Sequence, residues 1–234
     1  MLQDRRNMTS KFLDDKIVEQ VKEFFKDLNK PVKYLFFGSD EQNCQYCQDT
    51  QSLLTEITGI SDKIELEVFD IDEDAEIARQ YGVNNTPATV LVVQDGEMIK
   101  DYGVRFLGIP AGHEFTSLIN STVLISRQES NLAEETKQKL AQITKPVELK
   151  VFVTPTCPYC PRAVILAHQM AIQSDLVTAE MVEATEFVEL STQFGVSGVP
   201  HTVINMGAGE VVGAVPENNL MVEIERVLSA VAVE

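Results

Sequence analysis

The sequence lacks any run of 18 or more apolar residues, so it predicts no membrane-spanning helix. Its first residues, "MLQDRRNMTSKFLDDK", also lack the apolar stretch of a secretory signal. These two absences lead us to expect a cytoplasmic protein without a membrane partner. A hydrophobic fraction of 44% nevertheless supplies enough apolar material for a folded core.

Basic residues are scarce relative to acidic ones. The chain has 19 Lys and Arg against 36 Asp and Glu, which gives a formal net charge of −17. An acidic surface repels phosphate backbones, so we expect no nucleic-acid partner.

Cysteine is also scarce, and its distribution is informative. The four cysteines form two C-x-x-C pairs, Cys44 with Cys47 and Cys157 with Cys160. In a cytosolic protein this usage indicates metal or redox chemistry rather than structural disulfides.

The chain is a tandem repeat. When it is shifted by 113 residues, 44–97 align with 157–210 without a gap, with 17 identities in 54 pairs. The two C-x-x-C pairs coincide, and Pro87 falls on Pro200. A self-match at a fixed period indicates two copies of one folding unit. We therefore predict two domains, residues 1–128 and 129–234.

The residue pattern of each unit predicts strands that alternate with helices, followed by a hairpin. This order is typical of an α/β fold with a mixed sheet flanked by helices. In both units an amphipathic helix precedes a short apolar strand, and the C-x-x-C follows that strand. A helix, a second strand, a short helix, two strands and a closing helix complete the unit. The expected boundaries are 14–28, 32–37, 64–69, 88–93, 99–104 and 113–126 in the first unit, and 132–143, 147–153, 177–182, 202–205, 211–215 and 216–231 in the second.

A strand that ends in C-x-x-C and opens a helix, followed about 40 residues later by a Pro before another strand, resembles the thioredoxin fold. The "CPYC" at 157–160 is typical of glutaredoxins. Two such units resemble the protein disulfide oxidoreductases known mainly from hyperthermophiles, and "YGVRFLGIPAGHEF" at 102–115 is similar to that family's segments. The resemblance implies two tandem thioredoxin-like folds, thiol–disulfide exchange at two sites, and cis peptide bonds before both prolines. It also implies a thioredoxin-reductase-like electron donor and no cofactor beyond the two redox disulfides.

The expected chemistry requires a thiolate, because the thiolate and not the thiol attacks a disulfide. We expect Cys157 to lie at a helix N-terminus, where backbone N–H groups favour negative charge, with Pro158 as the first helical residue. Cys157 would attack a partner's disulfide, and Cys160, one turn further on, would resolve the mixed disulfide. Cys44 and Cys47 would act likewise in the first unit.

The prolines predict a substrate-binding role. A cis turn beside the cysteines would leave the backbone of Thr86 and Val199 free to pair with an extended protein substrate, next to Pro87 and Pro200.

One departure from the thioredoxin pattern concerns protons. Thioredoxins carry a buried acid six residues before the first cysteine, and the corresponding residue of the second unit is Val151. Proton handling is therefore expected to differ from that of thioredoxins.

Several alternatives remain open. Four cysteines could bind zinc, although the two pairs are 109 residues apart (157 − 47 − 1), far more than in zinc knuckles. A zinc-binding interaction protein would carry four metal-bound, unreactive thiols. A glutathione-dependent two-domain glutaredoxin would be re-reduced by glutathione, and the reductase arm of a peroxide-reducing system is a further alternative.

We expect His201 to be an exposed residue at a strand start, His113 a surface residue at a helix start, and His168 a mid-helix packing or surface residue.

Overall fold

The structure is a computed structural model that describes residues 11–40, 44–96 and 98–230. The ten N-terminal residues, on which the expectation of no secretory signal partly depends, lie outside these ranges. In the first half the elements are α1 (Asp15–Phe25), β1 (Val32–Gly38), α2 (Cys47–Thr58), β2 (Ile64–Asp70), α3 (Ala75–Gln80), β3 (Ala88–Asp95), β4 (Met98–Leu107) and α4 (Glu114–Arg127). In the second half they are α5 (Glu134–Leu140), β5 (Val147–Val153), α6 (Cys160–Gln173), β6 (Val177–Glu183), α7 (Val188–Gln193), β7 (His201–Ile204), β8 (Gly209–Val212) and α8 (Glu217–Ala230).

The predicted α/β fold with two thioredoxin-like units is confirmed, and the ends of the helices follow local chemistry. Asp14 caps α1, because its carboxylate accepts a hydrogen bond of 2.8 Å from the Ile17 N–H. Gly82 follows α3 with φ +69°, a left-handed conformation that glycine adopts without strain.

All eight strands form one sheet, in the order β2-β1-β3-β4-β6-β5-β7-β8. Each half contributes four strands, and the halves join where β4 and β6 pair in parallel, from Val104 opposite Ala179 to Leu107 opposite Val182. The predicted domain boundary at 128/129 falls between α4 and α5, and it remains a prediction because the sheet runs continuously through the junction.

The junction depends on a local irregularity of β4. The register of β3 and β4 shifts between Leu91 and Val92, and Gly103 lies in this part of β4 with φ +75°. A Cβ on Gly103 would lie 2.8 Å from the carbonyl oxygen of Val177, the first residue of β6. Glycine therefore allows the second half to approach β4 closely.

Helices α4 and α6 also link the halves, through a buried histidine. His168 Nδ1 lies 2.7 Å from Ser121 Oγ on α4, and Nε2 lies 3.2 Å from the Arg105 carbonyl oxygen. Burial lowers the pKa of His168 to about 3, so the ring is neutral. Because a carbonyl only accepts, Nε2–H donates to Arg105 and Nδ1 accepts from the Ser121 hydroxyl. His168 is thus a packing residue, one of the two places expected for it.

The sheet buries side chains on both faces. The larger core contains Cys44, Cys47 and Cys160 together with apolar residues of α2, α4, α6 and α8. The smaller core lies on the other face, against α3 and α7. The cysteines therefore belong to the face that the long helices cover. Among the described helices, none is long and apolar enough to cross a membrane.

Candidate functional site

The C-terminal cysteine pair lies where β5 ends and α6 begins. Cys157 is in the connecting turn, where its N–H donates to the Thr154 carbonyl over 3.1 Å, and α6 begins at Cys160. The expectation that Cys157 and Pro158 open the helix is wrong. The first half has the same helix start, since α2 begins at Cys47 although Gln45 and not a proline follows Cys44, so Pro158 is not the cause. Pro161 takes the early position of α6, where a missing N–H is harmless.

The two sulfurs of this pair differ in exposure. Cys157 is partly exposed, whereas Cys160 has no solvent-accessible surface. Burial raises the pKa of the Cys160 thiol, and its contacts with Cys157 and the charge of Glu114 raise it further. Cys157 is thus the sulfur that a partner can reach, and Cys160 is a protected thiol that needs help to lose its proton.

The predicted binding residues of the second half lie beside this pair. The Val199–Pro200 peptide bond is cis, and the Val199 carbonyl oxygen is 3.8 Å from Cys157 Sγ, within reach of the S–H donor. The structure thus brings Cys157, Val199 and Pro200 together.

The N-terminal pair occupies the equivalent place between β1 and α2, which begins at Cys47. Cys44 and Cys47 form a disulfide. The Thr86–Pro87 bond is cis, and Thr86 Oγ1 lies 3.1 Å from Ser39 Oγ, just after β1.

A cavity of about 510 Å³ opens at the N-terminal pair. Its walls come from both halves of the chain. The first half contributes Cys44, Gln45, Tyr46, Asp72, Thr86 and Pro87, and the second half contributes Thr185, Glu186 and Phe187. A substrate at Cys44 would therefore also touch the second half.

The buried acid missing from the β5 position is supplied by another element. Glu114, the first residue of α4, is 1% exposed, and one carboxylate oxygen accepts a hydrogen bond from Ser117 Oγ. The other oxygen has no hydrogen-bond partner among the described residues. Burial raises the pKa of the Glu114 carboxyl to about 7.

Backbone contacts hold the start of α4, where Glu114 lies, against the turn that precedes the C-terminal pair. The N–H of His113 donates to the Pro155 carbonyl over 2.9 Å, two residues before Cys157. A Cβ on Gly112 would lie only 2.3 Å from the same carbonyl oxygen, so glycine is required for this approach. The first half thus places a carboxyl beside the cysteines of the second half.

Neither Glu114 nor Glu186 was identified as functional from the sequence. Glu114 had a local signal, because it is the one charged residue in an otherwise apolar or small-polar run, "EFTSLINSTVLIS". Glu186 had none, since its place beside Cys44 arises only from the pairing of the two halves.

The three histidines lie in three different surroundings. His201 is 3% exposed, so the expectation of an exposed residue is wrong. Its Nε2 lies 3.2 Å from Glu210 Oε2 on the neighbouring strand β8. Side chains alternate along a strand, so His201 shares a face with Val203, which belongs to the core opposite the cysteines. His113 is exposed at the start of α4, as expected.

The geometry of the cysteines can be compared with that of a metal centre. Within the described residues, no three His, Cys, Asp or Glu side chains are grouped as metal ligands. The two cysteine pairs therefore do not converge on one four-cysteine site of the kind that structural zinc occupies.

Comparison with known proteins agrees with this geometry. Residues 147–226 match the thioredoxin domain family. A protein disulfide oxidoreductase from Aeropyrum pernix K1 has a similar structure, with a TM-score of 0.82 and 28% identity over 93% of each chain. The NTD_N/C domain of alkylhydroperoxide reductase AhpF from Enterococcus faecalis has a TM-score of 0.81 and 28% identity, over 92% of this chain and 99% of that one.

A curated relative is similar over most of this chain but is much longer than it. The alkyl hydroperoxide reductase AhpF of Escherichia coli K12 is 25% identical over 193 residues, which is 82% of this chain. The chain spans only about a third (34%) of that relative.

Proposed function

We propose that this thioredoxin-like disulfide oxidoreductase performs dithiol–disulfide exchange with protein substrates at two separate sites, one at each cysteine pair. At the C-terminal site, the Cys157 thiolate attacks a substrate disulfide. A bond forms between Cys157 Sγ and one substrate sulfur, and the other substrate sulfur leaves as a thiolate and takes a proton. Cys160 then attacks Cys157 Sγ, which releases the second substrate sulfur and leaves a Cys157–Cys160 disulfide. The reverse sequence oxidises a dithiol.

The observation that carries this proposal is the unequal exposure of the two sulfurs. A partner protein can contact Cys157, and the fully buried Cys160 can react only with Cys157. Exposure does not distinguish Cys44 from Cys47, which are 4% and 6% exposed. We assign them the same roles in the N-terminal site because Cys44 lines the open cavity.

The cis-proline turns supply the substrate-binding backbone. Val199 lies against Cys157, and an extended substrate segment can pair with its main chain next to the reacting sulfur. Thr86 has the same position relative to the N-terminal site.

Glu114 serves the resolving step. Cys160 must lose a proton before it attacks, and burial makes that loss unfavourable. The Glu114 carboxylate, with one oxygen that has no hydrogen-bond partner in the described part of the chain, accepts this proton directly or through a water molecule. With a pKa of about 7, the carboxyl can take up and release a proton at neutral pH.

The wider setting follows from the same chemistry. Exchange in the cytoplasm needs a reductant, and a thioredoxin-reductase-like donor is the partner that we propose. The two redox disulfides are sufficient as the electron carriers, and glutathione is the alternative donor, since "CPYC" is typical of glutaredoxins.

The test is to trap the mixed disulfide. In the Cys160→Ser variant, Cys157 can attack a disulfide substrate such as insulin, but the product cannot be resolved. We expect a covalent protein–insulin adduct on a non-reducing gel, and mass spectrometry of its peptides should place the bond at Cys157. The matched control, Cys157→Ser, should form no adduct there. An adduct through Cys160 would contradict the assignment of roles.

A second candidate function is supported by the similarity to the alkyl hydroperoxide reductase AhpF over 82% of the chain. In this alternative the exchange delivers electrons to a peroxide-reducing partner rather than to general protein substrates. The two functions share the cysteine chemistry and differ in the partner that occupies the cis-proline turns.

A further inference from the structure

Each half of the chain contributes an acidic residue to the cysteine site of the other half. Glu114 of the first half lies beside the C-terminal cysteines, and Glu186 of the second half lines the cavity that contains Cys44. Glu186 belongs to the loop between β6 and α7, whose residues Thr185 and Phe187 also line this cavity.

The Glu186 side chain is held in a defined position. Its Oε1 accepts a hydrogen bond of 2.8 Å from the N–H of Ile109, in the loop between β4 and α4. Its own N–H donates to Glu183 over 2.6 Å. A Cβ on Gly108 would lie 3.0 Å from Glu186 Oε1 and 2.6 Å from Glu183 Cβ, so glycine makes room for both side chains.

The second carboxylate oxygen of Glu186, Oε2, is buried and has no hydrogen-bond partner among the described residues. Burial, together with the nearby charge of Glu183, raises the pKa of Glu186 to about 7. The other ionisable residues that line the cavity are Asp72, Tyr46 and Cys44, and no lysine, arginine or histidine occurs in the described part of its wall. No cation there stabilises an ionised Glu186.

We propose that Glu186 is a positioning residue of the N-terminal site, whose ionisation controls the formation of the Cys44 thiolate from the opposite half of the chain. This inference rests on the proposed exchange at Cys44 and Cys47. When the pair is reduced, a Cys44 thiolate and a Glu186 carboxylate that line the same cavity repel each other, and the burial of Glu186 Oε2 limits the screening of this repulsion by water. The two groups therefore lose their first proton near neutral pH and the second only at higher pH.

The direction of the effect follows from the charges. Below pH 6, Glu186 is neutral and does not oppose the Cys44 thiolate. Above pH 7 it is ionised, and its charge makes the Cys44 thiolate less favourable. Replacing Glu186 by glutamine removes this charge at high pH and changes nothing at low pH.

The experiment measures Cys44 directly, in the full chain with Cys157→Ser and Cys160→Ser. The reduced protein is treated with iodoacetamide between pH 5.5 and 9, and mass spectrometry follows alkylation of Cys44. We expect Glu186→Gln to equal the parent below pH 6 and to react roughly threefold faster or more at pH 8, as a like charge on the wall of the same cavity predicts. Glu189→Gln is the matched control, because this exposed residue of α7 carries the same charge outside the cavity, and its profile should coincide with the parent's.

Coincident profiles for Glu186→Gln and the parent would overturn the inference. If Glu186→Gln does not fold, carbon-13 NMR of the glutamate carboxyls in the parent gives an independent measurement. In the reduced protein the Glu186 signal should show a second change at the higher pH where Cys44 ionises, and the oxidised protein should show only the step near pH 7. A single step in both proteins would refute the coupling.

The same proteins separate this inference from the proposed function. Insulin reduction by the parent reports whether the N-terminal pair exchanges disulfides at all. Loss of that activity with the alkylation difference intact would reject exchange at this site. Activity with coincident alkylation profiles would reject only the role of Glu186.

Discussion

Glu114 belongs to one half of the chain and acts on a cysteine of the other half. Glu114 begins a helix of the first half, yet its charge acts on Cys160 of the second. The second repeat by itself has no acid at the thioredoxin position, because the residue six positions before Cys157 is Val151. The acid instead comes from the first half of the chain.

The Glu114→Gln variant tests this role in catalysis. A neutral amide cannot accept the Cys160 proton, so we expect the mixed disulfide at Cys157 to persist about 10- to 100-fold longer. Attack by Cys157 itself should change little. Rapid acid quenching of the reaction with a disulfide peptide measures both steps. Glu114→Asp should recover part of the rate, and equal lifetimes in all three proteins would exclude a proton-accepting role.

The same variant gives a stability measurement with a defined sign. Unfolded Glu114 ionises near its ordinary pKa of 4.5, and folded Glu114 near 7. Between these values the folded state retains a proton that the unfolded state releases, so the wild-type free energy of unfolding falls as pH rises from 4.5 to 7. Denaturant unfolding should show Glu114→Gln gaining about 2–3 kcal/mol relative to wild type between about pH 4.5 and pH 8. A constant difference across this range would contradict the raised pKa.

At the scale of elements, the close contact of β4 with β6 at Gly103 controls how the halves meet. Alanine there would meet the Val177 carbonyl at 2.8 Å, in addition to the strain of φ +75°. We expect Gly103→Ala to lower the free energy of unfolding by about 2–4 kcal/mol.

Gly82→Ala is the matched control for this substitution. Gly82 has a similar φ of +69°, and a Cβ there would meet nothing within 4 Å. It should therefore show only the backbone cost of about 1 kcal/mol. Thermal or denaturant unfolding compares the two, and equal losses would show that the junction tolerates a side chain.

Most elements were predictable from the sequence because local patterns determine them. Apolar strands, amphipathic helices and turn glycines recur at the same places in both repeats, and the predicted strand 147–153 is reproduced at both ends. The helix starts were missed, because a C-x-x-C suggests that the first cysteine begins the helix, whereas a turn precedes both helices and each begins at the second cysteine.

The candidate site was only partly predictable. The cysteine pair and the cis-proline turn of each site belong to the same repeat, so the repeat pattern was enough to predict them. Glu114, Glu186 and the burial of His201 depend on contacts between strands and halves that are distant in sequence. No local pattern encodes such contacts.

At the scale of the whole molecule, one sheet and one helix pair connect the halves. The β4–β6 pairing, the α4–α6 contact through His168 and the shared cavity at Cys44 all cross the junction. We therefore expect the chain to unfold in one cooperative transition, although it consists of two repeats.

Calorimetry tests this expectation. The calorimetric enthalpy of unfolding should equal the van't Hoff enthalpy, and Gly103→Ala should lower the single Tm without splitting it. Two resolved transitions, or stabilities that change independently in the two halves, would show that the repeats unfold as separate units.

The order of strands has a further consequence for association. The repeats are joined head to tail, because the last strand of one unit, β4, pairs with β6, the counterpart of β2. Such a contact is heterologous, and between separate molecules a contact of this type, β8 of one against β2 of the next, would give a ring or an open fibre. The acidic chain opposes this growth, since Glu210 lies on β8 and Glu67 on β2, and β8 has only four residues. The net charge of −17 thus disfavours pairing between the edge strands of separate molecules.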